Sequence, residues 1–294
     1  MRILITGATG FIGRYILDRL RALGINIVAV GRTKPNNFDG DFIEADLLEI
    51  EKHRKIVELS GATHLIHLAW YVEHGKYLDS SLNVKWIQAS ANLAQEFCQA
   101  GGKKIVCAGT CFEYDLSYGF LREDFTPLNP TTIYGICKDT TRRLIANICE
   151  KSGVSFVWGR IFYVYGIGED KNRLIPSLIK VFQGKREPFR INNINALIDY
   201  LCVEDVADAF IKLTLSEAEG CYNIASMVPI RIYDIVLTLA DIFKKDAAEI
   251  LSHSAGNNKD TNLIIIGDNR KISLLGWKQN ISLHDYLRSR YAKI

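Results

Sequence analysis

Thr6-Gly7-Ala8-Thr9-Gly10-Phe11-Ile12-Gly13 follows directly on the apolar run Arg2-Ile3-Leu4-Ile5 and leads into Arg14-Tyr15-Ile16-Leu17. Along the chain this reads as a strand, a glycine turn and the start of a helix. Glycine suits such a turn because its backbone takes positive φ, and because no Cβ keeps the main chain away from a pyrophosphate on the helix N-terminus. The same spacing also occurs in tight βα turns that bind nothing. Here the turn follows a β-branched strand, and a second strand pattern begins at Ile25-Asn26-Ile27-Val28-Ala29-Val30, so a dinucleotide is the expected ligand of Gly7, Thr9, Gly10, Phe11, Ile12 and Gly13.

The same alternation continues outward from that stretch. Ile3 to Ile5, Ile25 to Val30, His64 to Leu68, Lys104 to Cys107 and Ser155 to Trp158 read as strands with helical patterns between them. Right-handed βαβ units of this kind build a parallel sheet covered on both faces, so the fold class is α/β, a Rossmann-type doubly wound parallel sheet. After Gly166 the texture changes: a loop from Gly168 to Asn172, a helix over about Leu174 to Gln183, and a polar, hairpin-like stretch around Asn192 to Asn195. The sheet pattern resumes at Leu201-Cys202-Val203 and Tyr222-Asn223-Ile224. The expected division is a nucleotide-binding domain of residues 1–165 plus 198–226 and a smaller, discontinuous C-terminal substrate-binding lobe of residues 166–197 plus 227–294, with a cleft between them.

Composition agrees with a globular enzyme: 294 residues, 48% hydrophobic and 23% charged, leave core size unconstrained. The net charge is +3 with basic residues scattered, so neither a nucleic-acid nor a membrane surface is expected. Seven cysteines, an odd number with no C-x-x-C pair, read as thiols in a reducing cytoplasmic setting, and no metal site is expected. The apolar N-terminal stretch is too short for a signal peptide, and no later run approaches the roughly 18 apolar residues of a membrane span, so a soluble protein is expected.

Tyr134-Gly135-Ile136-Cys137-Lys138 places a phenol and an ammonium at i and i+4 near the start of a helical segment after Pro130. They share one helix face, so the lysine can lower the phenol's pKa and also hold a bound ribose, making Tyr134 a candidate acid or base. Alone, such a pair also describes a solvated helix face. Thr110, on the loop after the strand beginning at Lys104, adds a hydroxyl able to bind the oxygen that Tyr134 protonates.

Together these residues resemble an extended short-chain dehydrogenase/reductase of the nucleotide-sugar epimerase/dehydratase family. The likeness covers essentially the whole chain and rests on Thr6 to Gly13, Ala45-Asp46-Leu47, His67-Leu68-Ala69, Asn83-Val84, Thr110 to Tyr114, Tyr134 to Lys138, Arg160 to Gly166, Arg173 to Pro176, Asp199 to Asp205 and Leu275-Gly276-Trp277. The resemblance implies that Thr110, Tyr134 and Lys138 form a catalytic triad, that Asp46 and Leu47 lie along the adenine, and that Leu68 and Ala69 line the cofactor groove. It places Trp70, Thr110, Cys111, Phe112, Tyr163 and Arg173 toward a nucleotide-sugar substrate, with Arg231 or Arg270 as a further phosphate contact.

Departures from the pattern shape the expected chemistry. Members that use NAD end the second strand in an acidic residue, where this chain has Gly31-Arg32-Thr33-Lys34; Arg32 can fork onto a 2′-phosphate, so NADP(H) is favoured, with NAD(H) the alternative. Dehydratases of the family carry Asp and Glu directly after the threonine, where Cys111 and Phe112 stand here, so dehydration is not expected. GDP-fucose synthase-like double epimerisation needs a Cys and a His where Phe112 and Arg173 stand, and is not expected either. The family's Asn in Arg-x-x-Asn-Val-Tyr-Gly is Tyr163, and the Arg preceding Asp199 is Ile198, so no particular sugar or base transfers. Glu113 reads either as catalytic or as a cap or loop contact, Cys111 and Cys137 as packing thiols, and His67 as a satisfied core histidine.

Three readings follow. The first is an NADPH-dependent reductase of a 4-keto deoxy sugar nucleotide; the second is a sugar-nucleotide 4-epimerase using the same triad. The third, a non-catalytic NADP-binding sensor, conflicts with the retention of both Tyr134 and Lys138. The resemblance also implies a homodimer pairing the helix of Asn83 with that of Tyr134, through Leu82, Val84, Ile87, Leu144, Ile145 and Ile148; burial of these stripes within one chain is the alternative.

Overall fold

A computed structural model describes residues 1–248, 250–251 and 263–292 of the chain, so part of the expected C-terminal lobe lies outside the described residues. Seven strands form one sheet: β1 (Arg2–Thr6), β2 (Asn26–Gly31), β3 (Asp41–Glu44), β4 (His64–His67), β5 (Lys104–Thr110), β7 (Ser155–Ile161) and β10 (Gly220–Ile224), in the order β10-β7-β5-β4-β1-β2-β3 with every pair parallel. The helices α1 (Gly13–Ala22) and α6 (Val203–Leu215) cover one face; α2 (His53–Ser60), α3 (Leu82–Gln99) and α4 (Ile133–Ser152) cover the other. Alternation in β1 decides which residue feeds which layer: Ile3 and Ile5 pack with α1 and α6, while Leu4 packs with α2, α3 and α4. In α1 the buried residues Gly13, Ile16, Leu17 and Leu20 follow the i, i+3, i+4, i+7 spacing of a one-sided helix. Chain order reverses between β1 and β4, and in open parallel sheets the crevice beyond the strand ends at such a reversal is where ligands bind.

A second, smaller sheet has its own apolar core. Its order is β11 (Pro229–Arg231), β9 (Leu197–Cys202), β12 (Ile264–Gly267), β6 (Phe120–Leu121), with β8 (Tyr163–Tyr165) beside β9. Helices α5 (Leu174–Phe182), α7 (Ile232–Phe243) and α9 (Leu283–Tyr291) surround it, and α8 (Arg270–Ser273) links β12 back toward β10. The strand read at Leu201-Cys202 therefore does not resume the large sheet, and β8, reached from β7 through Phe162, leaves it as well. The physical reason lies in Asp199, wholly buried on β9. It accepts from Ser226 N (2.7 Å) and Oγ (2.6 Å), Met227 N (2.9 Å) and Gly267 N (3.1 Å), tying β9 to the chain before β11 and to β12. The polar stretch at Asn192 to Asn195 is a turn, and β9 finds its antiparallel partner in β11 further along the chain.

Helices α3 and α4 pack against each other, with Ile145 buried between layers while Val84 and Leu144 are exposed. No described helix is long and apolar enough to cross a membrane.

Candidate active site

The glycine turn works by close approach. Gly7 has φ of 71°, and a Cβ on Gly13 would lie 2.0 Å from Gly7 O, so the first turn of α1 can lie against the end of β1 only with glycine there. The residue preceding α1, Ile12, offers no side-chain cap; Arg14 N and Tyr15 N donate to Gly10 O (3.2 Å) and Ile12 O (3.1 Å), so Gly13 N is the first-turn donor left to meet a ligand oxygen. Thr6 pins this turn to the neighbouring strand end. Its hydroxyl accepts from Leu68 N and Ala69 N (both 3.1 Å), which leaves its proton for His67 Nδ1 (2.8 Å). His67 Nε2–H then donates to Ser90 Oγ (2.9 Å), and burial, helped by the charge of Lys138, pushes the ring down to about 3, so it is a neutral, satisfied core residue.

The turn opens into a cleft of about 700 Å³. Its near end is lined by the glycine turn with Arg32, Asp46 and Leu47, its middle by Leu68 and Ala69, and its far end by Trp70, Thr110, Cys111, Phe112, Tyr134, Lys138, Tyr163 and Arg173. All of the expected site residues converge there except two. Arg231 is exposed ahead of α7, and Arg270 is held by Asp268, which accepts from its Nε at 2.9 and 3.0 Å; neither of these two expected phosphate contacts lines the cleft.

Helix α4 brings the phenol and ammonium to the cleft. Thr132 Oγ1 caps it by accepting from Gly135 N (3.1 Å), and a Cβ on Gly135 would sit 2.3 Å from Phe112 O, so glycine lets this helix start close against the turn after Thr110. Tyr134 lines the cleft together with Thr110, and its ring meets Tyr77 edge to face at 4.9 Å. Lys138 Nζ donates to Ala108 O (2.8 Å) and lies 4.0 Å from the centre of the Trp70 ring. Burial, reinforced by Tyr77, holds the Tyr134 phenol well above its ordinary range, against the lowering expected from the lysine. The reason is that the aromatic wall of Trp70, Tyr77 and Phe112 desolvates the phenol, while the ammonium is turned toward Ala108 and Trp70. Burial likewise pushes Lys138 down to about 8.

Glu113 is not turned to the cleft. It is wholly buried and accepts from Thr110 N (2.8 Å), Trp158 Nε1 (2.8 and 3.0 Å) and Arg160 Nε (2.7 Å); Arg160 in turn donates to Tyr114 Oη (3.0 Å), and Tyr114 to Asn223 Oδ1 (2.8 Å). This network fixes the backbone of Thr110, the cap or loop role among the two readings of Glu113. Burial raises the Cys111 and Cys137 thiols, so both pack as neutral groups. Sequence reading missed Tyr77 and Trp86, which line the far end from an irregular segment and from α3. Asn83 ties Tyr77 to Trp70: its Oδ1 accepts from Trp70 Nε1 (2.8 Å) and its Nδ2 donates to Tyr77 O (2.6 Å), while Trp86 stacks on Trp70.

Comparison with known proteins points the same way. The chain is 27% identical over 236 residues to the dTDP-6-deoxy-L-talose 4-dehydrogenase (NAD(+)) of Aggregatibacter actinomycetemcomitans, covering 78% of this chain and 86% of that one. It is 23% identical over 293 residues to the CDP-abequose synthase of Salmonella typhimurium, covering 95% and 93%. The fold superposes on the crystal structure of the Thermus thermophilus UDP-glucose 4-epimerase in complex with NAD with a TM-score of 0.82 at 21% identity, covering 100% and 98%. Residues 3–225, from the first strand through the glycine turn and the Thr110, Tyr134 and Lys138 site to β10, match one family as a continuous stretch, and the chain belongs to it: the NAD dependent epimerase/dehydratase family.

Proposed function

We propose that the protein is an NADPH-dependent reductase of a 4-keto-6-deoxy sugar nucleotide. The observation that carries this reading is the distribution of acids: Asp46, at the end of the cleft remote from Tyr134, is the one carboxylate among the described lining residues. At the reacting end Cys111 and Phe112 stand beside Thr110, so among the described residues no carboxylate faces a substrate there. A ketone that gains one hydride and one proton needs a single donor.

The glycine turn and the uncapped start of α1 fit a dinucleotide pyrophosphate, and a bound nicotinamide supplies the hydride that adds to C4 of the sugar. Tyr134 gives its proton to the C4 oxygen, a role suited to a phenol that burial keeps protonated. Lys138 supports the phenolate left behind and would hold the ribose of a bound cofactor, and Thr110 orients the oxygen through its hydroxyl. Arg173, half-buried at the start of α5, supplies positive charge for the substrate diphosphate. Arg32 lies at the end of β2 beside the adenosine end of the cleft, exposed and without an ion-pair partner among the described residues, and no carboxylate occupies that strand end. It favours the 2′-phosphate of NADPH, in contrast to the similar talose 4-dehydrogenase, which is named for NAD(+).

The test is incubation with NADPH or NADH and dTDP-, CDP-, GDP- or UDP-linked 4-keto-6-deoxyhexoses, following cofactor absorbance. Stoichiometric oxidation of NADPH, lost in Tyr134→Phe by about 10²- to 10⁴-fold with cofactor binding retained, is the expected result. Tightly held NAD that is never turned over, with interconversion of C4 epimers, would identify a 4-epimerase instead.

A further inference from the structure

Lys138 carries its charge in an apolar place. Its Nζ has one hydrogen-bond acceptor, Ala108 O, and otherwise faces rings: Trp70 at 4.0 Å, Trp158 at 5.8 Å and Tyr134 at 5.9 Å. The titratable groups around it come from four elements. His67 on β4 is neutral, Cys107 on β5 is pushed up to about 12 by burial, and Tyr134 on its own helix is held protonated. Glu113, after β5, is the charged group among them, and its oxygens are taken by Thr110, Trp158 and Arg160. What lies directly on the ammonium is the Trp70 ring.

That ring is locked in plane. Its Nε1–H donates to Asn83 Oδ1 at 2.8 Å, and Trp86 stacks on it at 6.0 Å and 29°. Asn83 is wholly buried, and its Nδ2 donates to Tyr77 O (2.6 Å) and Ser80 O (2.9 Å), so turning the indole breaks a saturated knot. We infer that Trp70 is a positioning residue whose indole face, fixed by Asn83 and Trp86, keeps the Lys138 ammonium charged and in place beside Tyr134. A desolvated ammonium is attracted to the negative face of an aromatic ring, most strongly to indole, which here replaces part of the hydration lost on burial. The inference rests on the proposed role of Lys138, and it goes beyond reading Trp70 as a substrate contact.

The experiment follows the Lys138 Nζ resonance by NMR in isotope-labelled protein, assigned with Lys138→Arg, across pH in the free protein. Wild type is expected to titrate near 8. Trp70→Leu should lower the midpoint by about one pH unit, Trp70→Phe, which keeps a ring but loses the bond to Asn83, by less, and Trp86→Leu least. In turnover with NADPH, the alkaline limb of kcat/KM should move down by the same amount in Trp70→Leu. A folded Trp70→Leu protein whose Lys138 midpoint matches wild type overturns the inference; if that variant does not fold, an unmoved midpoint in Trp70→Phe does so. The titration needs no turnover, so a moved midpoint in a protein without reductase activity removes the proposed reaction and leaves the Trp70 inference standing.

Discussion

Glu113→Gln separates a structural carboxylate from a catalytic one. Glu113 and Arg160 have side chains 0% and 2% exposed, with Nε and Oε2 2.7 Å apart, and the two carboxylate oxygens together serve three donors: Thr110 N, Trp158 Nε1 and Arg160 Nε. A glutamine offers one acceptor oxygen and turns an NH2 toward at least one of those donors, while Arg160 keeps a buried charge with no counter-ion. Removing one partner of a buried pair costs roughly 3–5 kcal/mol. For a chain of this size that corresponds to a fall in Tm on the order of 10 °C. Because Glu113 also raises Lys138, the variant's activity should decline at lower pH than wild type. Thermal unfolding by circular dichroism gives the first quantity, and NADPH oxidation per folded molecule, measured well below the lowered Tm, gives the second. The expected outcome is a large loss of stability with turnover at pH 6.5 within about tenfold of wild type. The opposite pattern, a Tm within about 2 °C and turnover down by more than about 100-fold, would show that Glu113 moves a proton and refute the reasoning. Pairing Glu113→Gln with Arg160→Met should recover part of the stability, because the orphaned charge is gone.

Three further outcomes follow from the same geometry. Gly13→Ala sets a Cβ 2.0 Å from Gly7 O and 2.8 Å from Gly7 C, both backbone atoms, so the turn must open; NADPH binding, read by fluorescence titration, should weaken by about 100-fold or more, and unchanged affinity would mean the turn does not hold the pyrophosphate. Arg32→Glu should weaken NADPH binding by roughly 10- to 100-fold while leaving NADH equal or tighter, since a carboxylate there accepts ribose hydroxyls; equal loss for both cofactors would mark Arg32 as a general surface charge. Burial lifts Glu169 to about 8 despite Arg173 nearby, so in the folded protein it stays protonated where the unfolded carboxyl has already ionised. Stability from this site is therefore present below the unfolded pKa and lost as pH rises toward 8, and Glu169→Gln should raise Tm at pH 8–9 with little change at pH 5; a gain confined to pH 5 would contradict it.

The parts legible in the sequence are those with local causes. Five strands of the large sheet, β1, β2, β4, β5 and β7, are short apolar runs beside helices, and in α1 the buried residues recur at helical spacing; the glycine turn and Thr110 follow or end such strands, and Tyr134 and Lys138 fall in the first two turns of α4, whereas β3, Asp41-Phe42-Ile43-Glu44, has no such run to read. The smaller sheet is built from strands of two to six residues paired across distant segments, and an apolar run such as Leu201-Cys202 looks the same in either sheet. Only the donors gathered on Asp199 from Ser226, Met227 and Gly267 decide its membership, and those are long-range. Tyr77 was hidden for a related reason, since it lies on an irregular segment with no period to read. Glu113 is the instructive case. Thr110-Cys111-Phe112-Glu113 carries the hydroxyl and the carboxylate of a capping box, and the structure forms it, with Thr110 accepting from Phe112 N and Glu113 accepting from Thr110 N. A carboxylate at that position can serve the backbone locally and still present its second oxygen to a substrate. What removes that freedom here is one strand away: Trp158 and Arg160, two residues apart on β7 and so on the same face, both turn their donors onto Glu113. The alternation along β7, read together with the capping box, therefore takes the Glu113 carboxylate away from the cleft, and the proposed reaction draws its proton from Tyr134 instead.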